Sequence, residues 1–281
     1  MTEEELYLFD TLGFLRVENV LDQDTVARAY ESSQRIVRDY ERLLDGPKGQ
    51  SYGDKYRNAF LYDKVLERIS YSPQLMDYIC HVANNQPRLI DGTLMVQNAD
   101  HGFHNFHLRK DIDSEIREDA PRFYTDVVNR QIYTDYVTFF VYLTDVRPGD
   151  GGLLVVPGAH RASFKYPPEM FYQKDAYPVD SESRQKLGFI NVTVNAGDMI
   201  IMPLRLNHAA LPWLPRDRDR LVMFYTYQPQ FYFSGQTDKM LETVRAEGIE
   251  LDEATMDLIS MREKAELKEV VKNHLAKREG S

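Results

Sequence analysis

"TDVRPGDGGLLVVPGAHR", residues 144–161, is the stretch on which the reading of this chain turns. Gly149, Gly151 and Gly152 permit tight turns ahead of "LLVVP" (153–157), an apolar run rich in β-branched residues that reads as a strand. Pro157-Gly158 turns the chain again behind it. Glycine-rich segments can cradle phosphate, but those lead into a helix and carry a Lys-Ser/Thr pair. This one leads into a strand, so its glycines are architectural. His160 is expected to order the turn that follows.

Outward from this stretch the same chemistry recurs. "RLIDGTLMVQ" (88–97), "YVTFFVYLTDV" (136–146), "FINVTV" (189–194), "DMIIMP" (198–203) and "RLVMFYTYQP" (220–229) are rich in β-branched and aromatic residues and are separated by Gly, Pro and Asp turns. Several short strands punctuated in this way predict an antiparallel sandwich or barrel. Thr2 and Glu5 have capping-box spacing, so a helix opens the chain and Gly13 ends it before the strand "FLRVENV". Asp22 or Asp24 caps a second helix, with Val26, Ala29, Tyr30, Ile36, Val37 and Tyr40 inward. A helical pattern runs from Tyr56 to Ala83, restarted at Pro73. A charged helical tail begins at Thr237, with Leu241, Val244, Leu258, Ile259, Met261, Leu267 and Val271 inward. The expectation is a mainly β fold with flanking helices. It comprises one domain over 1–281, with a helical region at 1–85, a β core at about 88–232 and a helical tail at 237–278.

Composition narrows the function. Hydrophobic residues are 43% and charged residues 28% of 281, as in soluble globular proteins. The net charge of -10 repels nucleic acid and anionic lipid, so neither is an expected partner. One cysteine, Cys80, closes no internal disulfide, and the acidic start lacks the pattern of a secretion signal. No apolar stretch is long enough to span a bilayer. These features lead to an expected cytoplasmic location. Nothing in the sequence specifies an oligomeric state.

Two residues stand out chemically. His208 is delivered to a sheet end by the strand before it and is followed by a Pro-punctuated loop. Arg220 opens an otherwise apolar strand. A guanidinium inside a barrel needs an anion to offset its desolvation, and a carboxylate-bearing cosubstrate held bidentately supplies one. "HGFHNFHLRKD" (101–111) gathers three of the seven histidines, yet no histidine in the chain has a carboxylate two residues later.

Taken in order and spacing, "TDVRPGDGGLLVVPGAHR", "VNAGDMIIMPLRLNHAALP", Arg220 opening "RLVMFYTYQP", and "FDTLGFLRVENVLDQDTV" near the start resemble the phytanoyl-CoA dioxygenase-like family of iron(II)- and 2-oxoglutarate-dependent oxygenases. The resemblance covers roughly residues 5–232. It implies a double-stranded β-helix, a jelly-roll or cupin-like barrel open at one end, with Fe(II) and 2-oxoglutarate as cofactors and a small organic molecule as substrate. Such enzymes hold iron with two histidines and a carboxylate. His208 matches the distal histidine, and Arg220 matches the arginine that binds the far carboxylate of 2-oxoglutarate. His107, after Phe106, matches the first histidine.

The family's acid position, two residues on, falls on Arg109, which cannot ligate a cation. Four resolutions stand. Asp111 shares strand parity with His107 but lies about 13 Å farther along an ideal strand, so the chain would have to bend; Asp113 and Glu115 are further candidates. A turn through "HNFH" would bring His104 beside His107, whereas a regular strand would oppose them. The centre can hold two histidines with the acid position vacated. Or the chain has lost iron and serves as a ligand-binding or scaffold protein, or as a metal-independent enzyme. Arg109 then falls among the pocket residues. Gln97 either hydrogen-bonds the cosubstrate or caps a strand end. Tyr136 and Thr138 share one strand face and are expected to line the pocket, with Val137, Phe139 and Val141 packed outward under the helices. The long segments 109–131 and 161–185 are read as loops that shape specificity.

Overall fold

The run "RLVMFYTYQP" forms one strand, β12 (Arg220–Pro229), as its β-branched and aromatic content favours. The computed structural model describes residues 1–49, 52–102, 104–107, 125–128, 131–162, 188–230, 236–261 and 267–279, with backbone alone at 104–107, 125–128, 131, 236 and 279. Within these residues β12 lies between β3 (Pro87–Gln97) and β7 (Val137–Tyr142). Beyond β7 the sheet continues through β10 (Met199–Pro203) to β1 (Leu15–Val17), and beyond β3 it ends at β2 (Asp54–Tyr56). A second sheet runs in the order β4 (His104–His107), β11 (His208–Leu211), β8 (Gly152–Val155) and β9 (Ile190–Asn191). The pairings in both sheets are antiparallel. This is the jelly-roll architecture expected from the sequence.

Strand alternation divides the apolar residues into two cores. On β7 and β12, Val137, Phe139, Val141, Leu221, Met223, Tyr225 and Tyr227 face the helices and are buried with them. Phe140, Tyr142 and Val222 point the other way and pack between the sheets with Leu153, Val155, Ile200 and Met202. Each large side chain so buried contributes about 1.5–3 kcal/mol. The covering helices are α1 (Glu3–Leu12), α2 (Gln23–Asp39), α3 (Lys64–Ile69) and α4 (Pro73–Val82), joined by α5 (Gln236–Glu247), α6 (Glu253–Ile259) and α7 (Glu269–Glu279). Among the described residues no helix is long and apolar enough to cross a membrane.

Local signals account for the helix ends. Thr2 and Glu5 form a reciprocal capping box, and Gly13 closes α1 in the left-handed conformation. A Cβ at Gly13 would overlap the ring of His160. That ring is buried, and its Nε2 donates to the carbonyl of Asp10 (3.1 Å). His160 thus ties α1 to the Pro157-Gly158 turn it was expected to order. Asp22, not Asp24, caps α2, accepting from the Thr25 amide at 2.7 Å.

Several expectations are corrected. The helical pattern over Tyr56–Ala83 breaks into the end of β2, a 3-10 turn at Ala59–Tyr62, α3 and α4. Asn58 is left-handed (φ 52°), and Asp63 restarts the helix by accepting from the Val65 and Leu66 amides. Tyr30 is 40% exposed because the buried stripe of α2 is centred on Ala29, Ser32, Ser33 and Ile36, where small side chains lie inside. Among the described residues the tail forms three helices, and the break between the first two runs from Gly248 to Asp252, which is bound by Lys64, Arg68 and Tyr71. Met261 follows the end of α6 and is 43% exposed. The expected strand 189–194 shortens to β9 and an isolated bridge from Val194 to Val146. Within the expected loop 109–131 lies β5 (Thr125–Val128), paired with β6 (Gln131–Thr134). His208 does not end a strand: Leu204–Asn207 turn the chain, and His208 opens β11.

Candidate functional site

Residue rows across the larger sheet lay out a cavity between the two sheets. β12 and β3 pair Arg220 with Gln97, Val222 with Met95, Phe224 with Thr93 and Thr226 with Asp91. β7 adds Tyr142 beside Val222, Phe140 beside Phe224 and Thr138 beside Thr226. These positions share strand parity and face inward. The cavity has a volume of about 170 Å³ and opens to solvent. Arg220, His208, Tyr136 and Thr138 all line it, as do the apolar Met95, Phe140, Leu153 and Phe224.

Arg220 is 2% exposed. Its Nη1 donates to Gln97 Oε1 at 3.0 Å and its Nη2 to the Tyr142 hydroxyl at 3.4 Å, with the guanidinium carbon 5.5 Å from the Tyr142 ring centroid. Gln97 in turn donates from Nε2 to the Leu211 carbonyl (3.0 Å), which ties this end of β3 to β11. Gln97 is therefore a buried relay between Arg220 and β11. Among the described residues no carboxylate pairs with Arg220, and its buried Nε has no hydrogen-bond partner. The glycine pair explains how the guanidinium fits. A Cβ on Gly152 (φ 80°) would lie 3.2 Å from Arg220 Nε, and one on Gly151 would overlap the Pro212 carbonyl. A buried cation whose neighbours are neutral is a receptor for an anion.

His208 lines the same cavity, part of the way from Arg220 toward the Thr138 row. Leu211, on the level of Gln97 and Arg220, is three residues farther along β11, or about 10 Å. Pro203 at the end of β10 lies opposite Val137, and the Leu204 amide donates to the Tyr136 carbonyl at 3.0 Å. The Thr138 row lies farther from Arg220 than His208 does: Thr226, beside Thr138, is six residues from Arg220 along β12, or about 20 Å. His208 Nδ1 donates to the Leu206 carbonyl (2.8 Å), so in the neutral ring Nε2 carries the lone pair. A carbonyl that fixes the tautomer from behind is the usual support of a metal-binding histidine. Across β11, His208 lies opposite residue 107 on β4 and Val155 on β8. Facing positions on antiparallel strands are about 4.5–5.5 Å apart at Cα. Ala210 faces His104, so β4 spends three steps where β11 spends two, and the register shifts between them.

Arg109, Asp111, Asp113 and Glu115 lie outside the described residues. Among the described residues no three His, Cys, Asp or Glu side chains gather as a metal site. His101 is buried off the cavity, its ring held by Asn98 and 3.3 Å from Asp54. Sequence reasoning missed Asp91, Thr226 and Tyr142. Their parity with Gln97, Arg220 and Thr138 on their own strands was readable, but the register that joins the three strands was not.

In the row away from Arg220, Asp91 accepts from Thr93 Oγ1 at 2.8 Å. It opens onto the cavity, while the surrounding strands strip its carboxyl of hydration and raise it to about 6. Thr93, Arg57 and Lys55 work in the opposite direction.

Comparison with known proteins agrees with this architecture. The family model described as "Phytanoyl-CoA dioxygenase (PhyH)" matches residues 9–214. HygX from Streptomyces hygroscopicus, solved with nickel, 2-oxoglutarate and hygromycin B bound, superposes with a TM-score of 0.69 at 24% identity, covering 83% of this chain and 89% of that one. EctD from S. alaskensis, in its apoform, gives 0.62 at 16% identity over 82% and 78%. SnoN, a non-haem α-ketoglutarate-dependent epimerase from nogalamycin biosynthesis, gives 0.60 at 19% identity over 81% and 83%. At these identities the likeness is one of fold. No curated protein matched the chain.

Proposed function

This chain belongs to the phytanoyl-CoA dioxygenase family of non-haem iron, 2-oxoglutarate-dependent oxygenases, and on that premise we propose that it oxidises a C–H bond of a small organic molecule. Arg220 carries this reading. It is buried at one end of the cavity, held by Gln97 and Tyr142, and among the described residues no carboxylate answers its charge. The far carboxylate of 2-oxoglutarate is the anion it would bind.

His208 and His107 are the proposed metal-holding pair. The fit rests on the His208 tautomer set by Leu206 and on the strand register that puts position 107 opposite 208. Asp111 is the proposed third ligand, with His104 as the other candidate. When bound, iron(II) supplies open positions at which oxygen and the keto acid meet. The chain's own residues orient and exclude. Arg220 fixes one end of the cosubstrate, Phe140, Phe224, Met95 and Leu153 keep the middle of the cavity apolar, and Tyr136 and Thr138 face the substrate.

An anaerobic iron(II) titration tests the proposal. It predicts one metal per chain in the wild type and none in His208→Ala at the same micromolar iron. A second reading, a ligand-binding protein without iron, draws on Arg109 standing two residues after His107. It would be favoured by an absence of iron binding in the wild type both with and without 2-oxoglutarate.

A further inference from the structure

At the end of the cavity away from Arg220 the larger sheet carries a row of polar groups, of which the function proposed above uses Thr138 alone. Asp91, Thr226 and Thr138 stand side by side on β3, β12 and β7 and line the cavity. Thr138 Oγ1 and Thr226 Oγ1 are 3.1 Å apart, and Thr93 Oγ1 donates to Asp91 Oδ1 at 2.8 Å. In the next row toward Arg220 the rings of Phe140 and Phe224 meet edge to face at 4.5 Å, with Thr93 beside Phe224. The cavity therefore has a cationic end, a mostly apolar middle and a hydroxyl-and-carboxyl edge.

Charge at that edge is already balanced. Lys55 and Arg57 both act on Asp91. Arg57 is bound to Asp45 through Nε (3.0 Å) and Nη2 (2.6 Å), and the Lys55 ammonium lies 4.6 Å from the Tyr52 ring centroid. An incoming ammonium would meet these two cations, and an incoming carboxylate or phosphate would meet Asp91 in a site of low hydration. A neutral hydroxyl meets neither penalty. It can donate to the carboxyl and exchange hydrogen bonds with threonine hydroxyls, which both donate and accept.

We propose that the Asp91–Thr226–Thr138 row is the recognition edge for the primary substrate, and that this substrate is a neutral molecule bearing hydroxyl groups on a hydrocarbon frame. The frame lies against Phe140 and Phe224, which brings its C–H bonds toward His208; that last placement rests on the function proposed above.

Saturation-transfer NMR titrations of the full chain, with zinc(II) in place of iron and saturating 2-oxoglutarate, test this with three probes that share one ring. These are cis-1,2-cyclohexanediol, cyclohexylamine and cyclohexanecarboxylate. The diol is expected to bind at least about fivefold more tightly than either charged probe, and a Thr138→Val/Thr226→Val double variant is expected to lose that margin, as removal of about one net hydrogen bond predicts. Equal or tighter binding of the amine or the carboxylate overturns the proposal, as does an unchanged diol affinity in the double variant. Should that variant fail to give a cooperative thermal melt, the order of the three probes on the wild type decides alone. The same samples are titrated with 2-oxoglutarate. Diol preference without 2-oxoglutarate binding would overturn the proposed oxygenase and leave the recognition edge standing; 2-oxoglutarate binding without diol preference would overturn the recognition edge alone.

Discussion

In the six-stranded sheet, β12 and β3 keep one register from Arg220–Gln97 to Thr226–Asp91, and β7 follows them row for row. In the four-stranded sheet, β11 and β4 share two paired positions, with a shift between them. The regular ladder fixes which side chains face the cavity and at what level, so the arginine and the polar row are set by alternation alone. The irregular strand re-aims its residues, as an extra residue in a ladder does. One sheet is a regular wall that carries the proposed cosubstrate anchor; the other carries the proposed metal-holding histidines on short strands whose aim depends on a bulge.

The comparison can be broken at either wall. Phe139 and Phe140 are adjacent on β7, one wholly buried under the helices and the other facing the cavity. Phe139→Ala should cost about 3–5 kcal/mol in a denaturant melt, and Phe140→Ala clearly less, because the cavity side is already open to solvent. Equal losses would mean that the larger sheet is not the buried wall. His208→Ala should lower iron(II) affinity by at least about 100-fold, since even the outer partners of a metal ligand cost 10- to 100-fold. Affinity within a few-fold of wild type, measured by anaerobic equilibrium dialysis, removes His208 from the metal site. Gln97→Leu should weaken 2-oxoglutarate binding about tenfold by freeing the guanidinium from its brace. An unchanged calorimetric affinity would show that the relay does no positioning.

The smallest effect belongs to Asp91. Its carboxyl is raised to about 6 in the folded chain. Between the ordinary carboxylate range and pH 6 the native state therefore binds more protons than the unfolded one, and stability falls as pH rises through that window. Asp91→Asn should then stabilise the protein by ~1–2 kcal/mol at pH 8, after allowance for water in the cavity, and by nothing below about pH 4. Thermal melts at the two pH values check the sign.

Much of the larger sheet was readable from single residues. Thr138 and Tyr136 were expected on the cavity side, and Val137, Phe139 and Val141 under the helices, because period-2 alternation survives in a regular ladder. Arg220 was readable because a charge at the start of an apolar run demands a partner. β11 was not, because "HAAL" has little β propensity of its own and becomes a strand between β4 and β8. The row of Asp91 with Thr226 and Thr138 joins three distant parts of the chain, so only the pairing reveals it. The tail read as helical because its composition favours helix throughout, but the break at Gly248 and the anchoring of Asp252 by Lys64, Arg68 and Tyr71 are set by contacts with distant residues.

Titration calorimetry of 2-oxoglutarate into wild type and Arg220→Ala tests the central claim most directly. A buried guanidinium that pairs with the cosubstrate's far carboxylate predicts binding by the wild type and a loss of at least about 100-fold in the variant, as removal of one partner of a buried charge pair entails. Equal affinities in two folded proteins would contradict it.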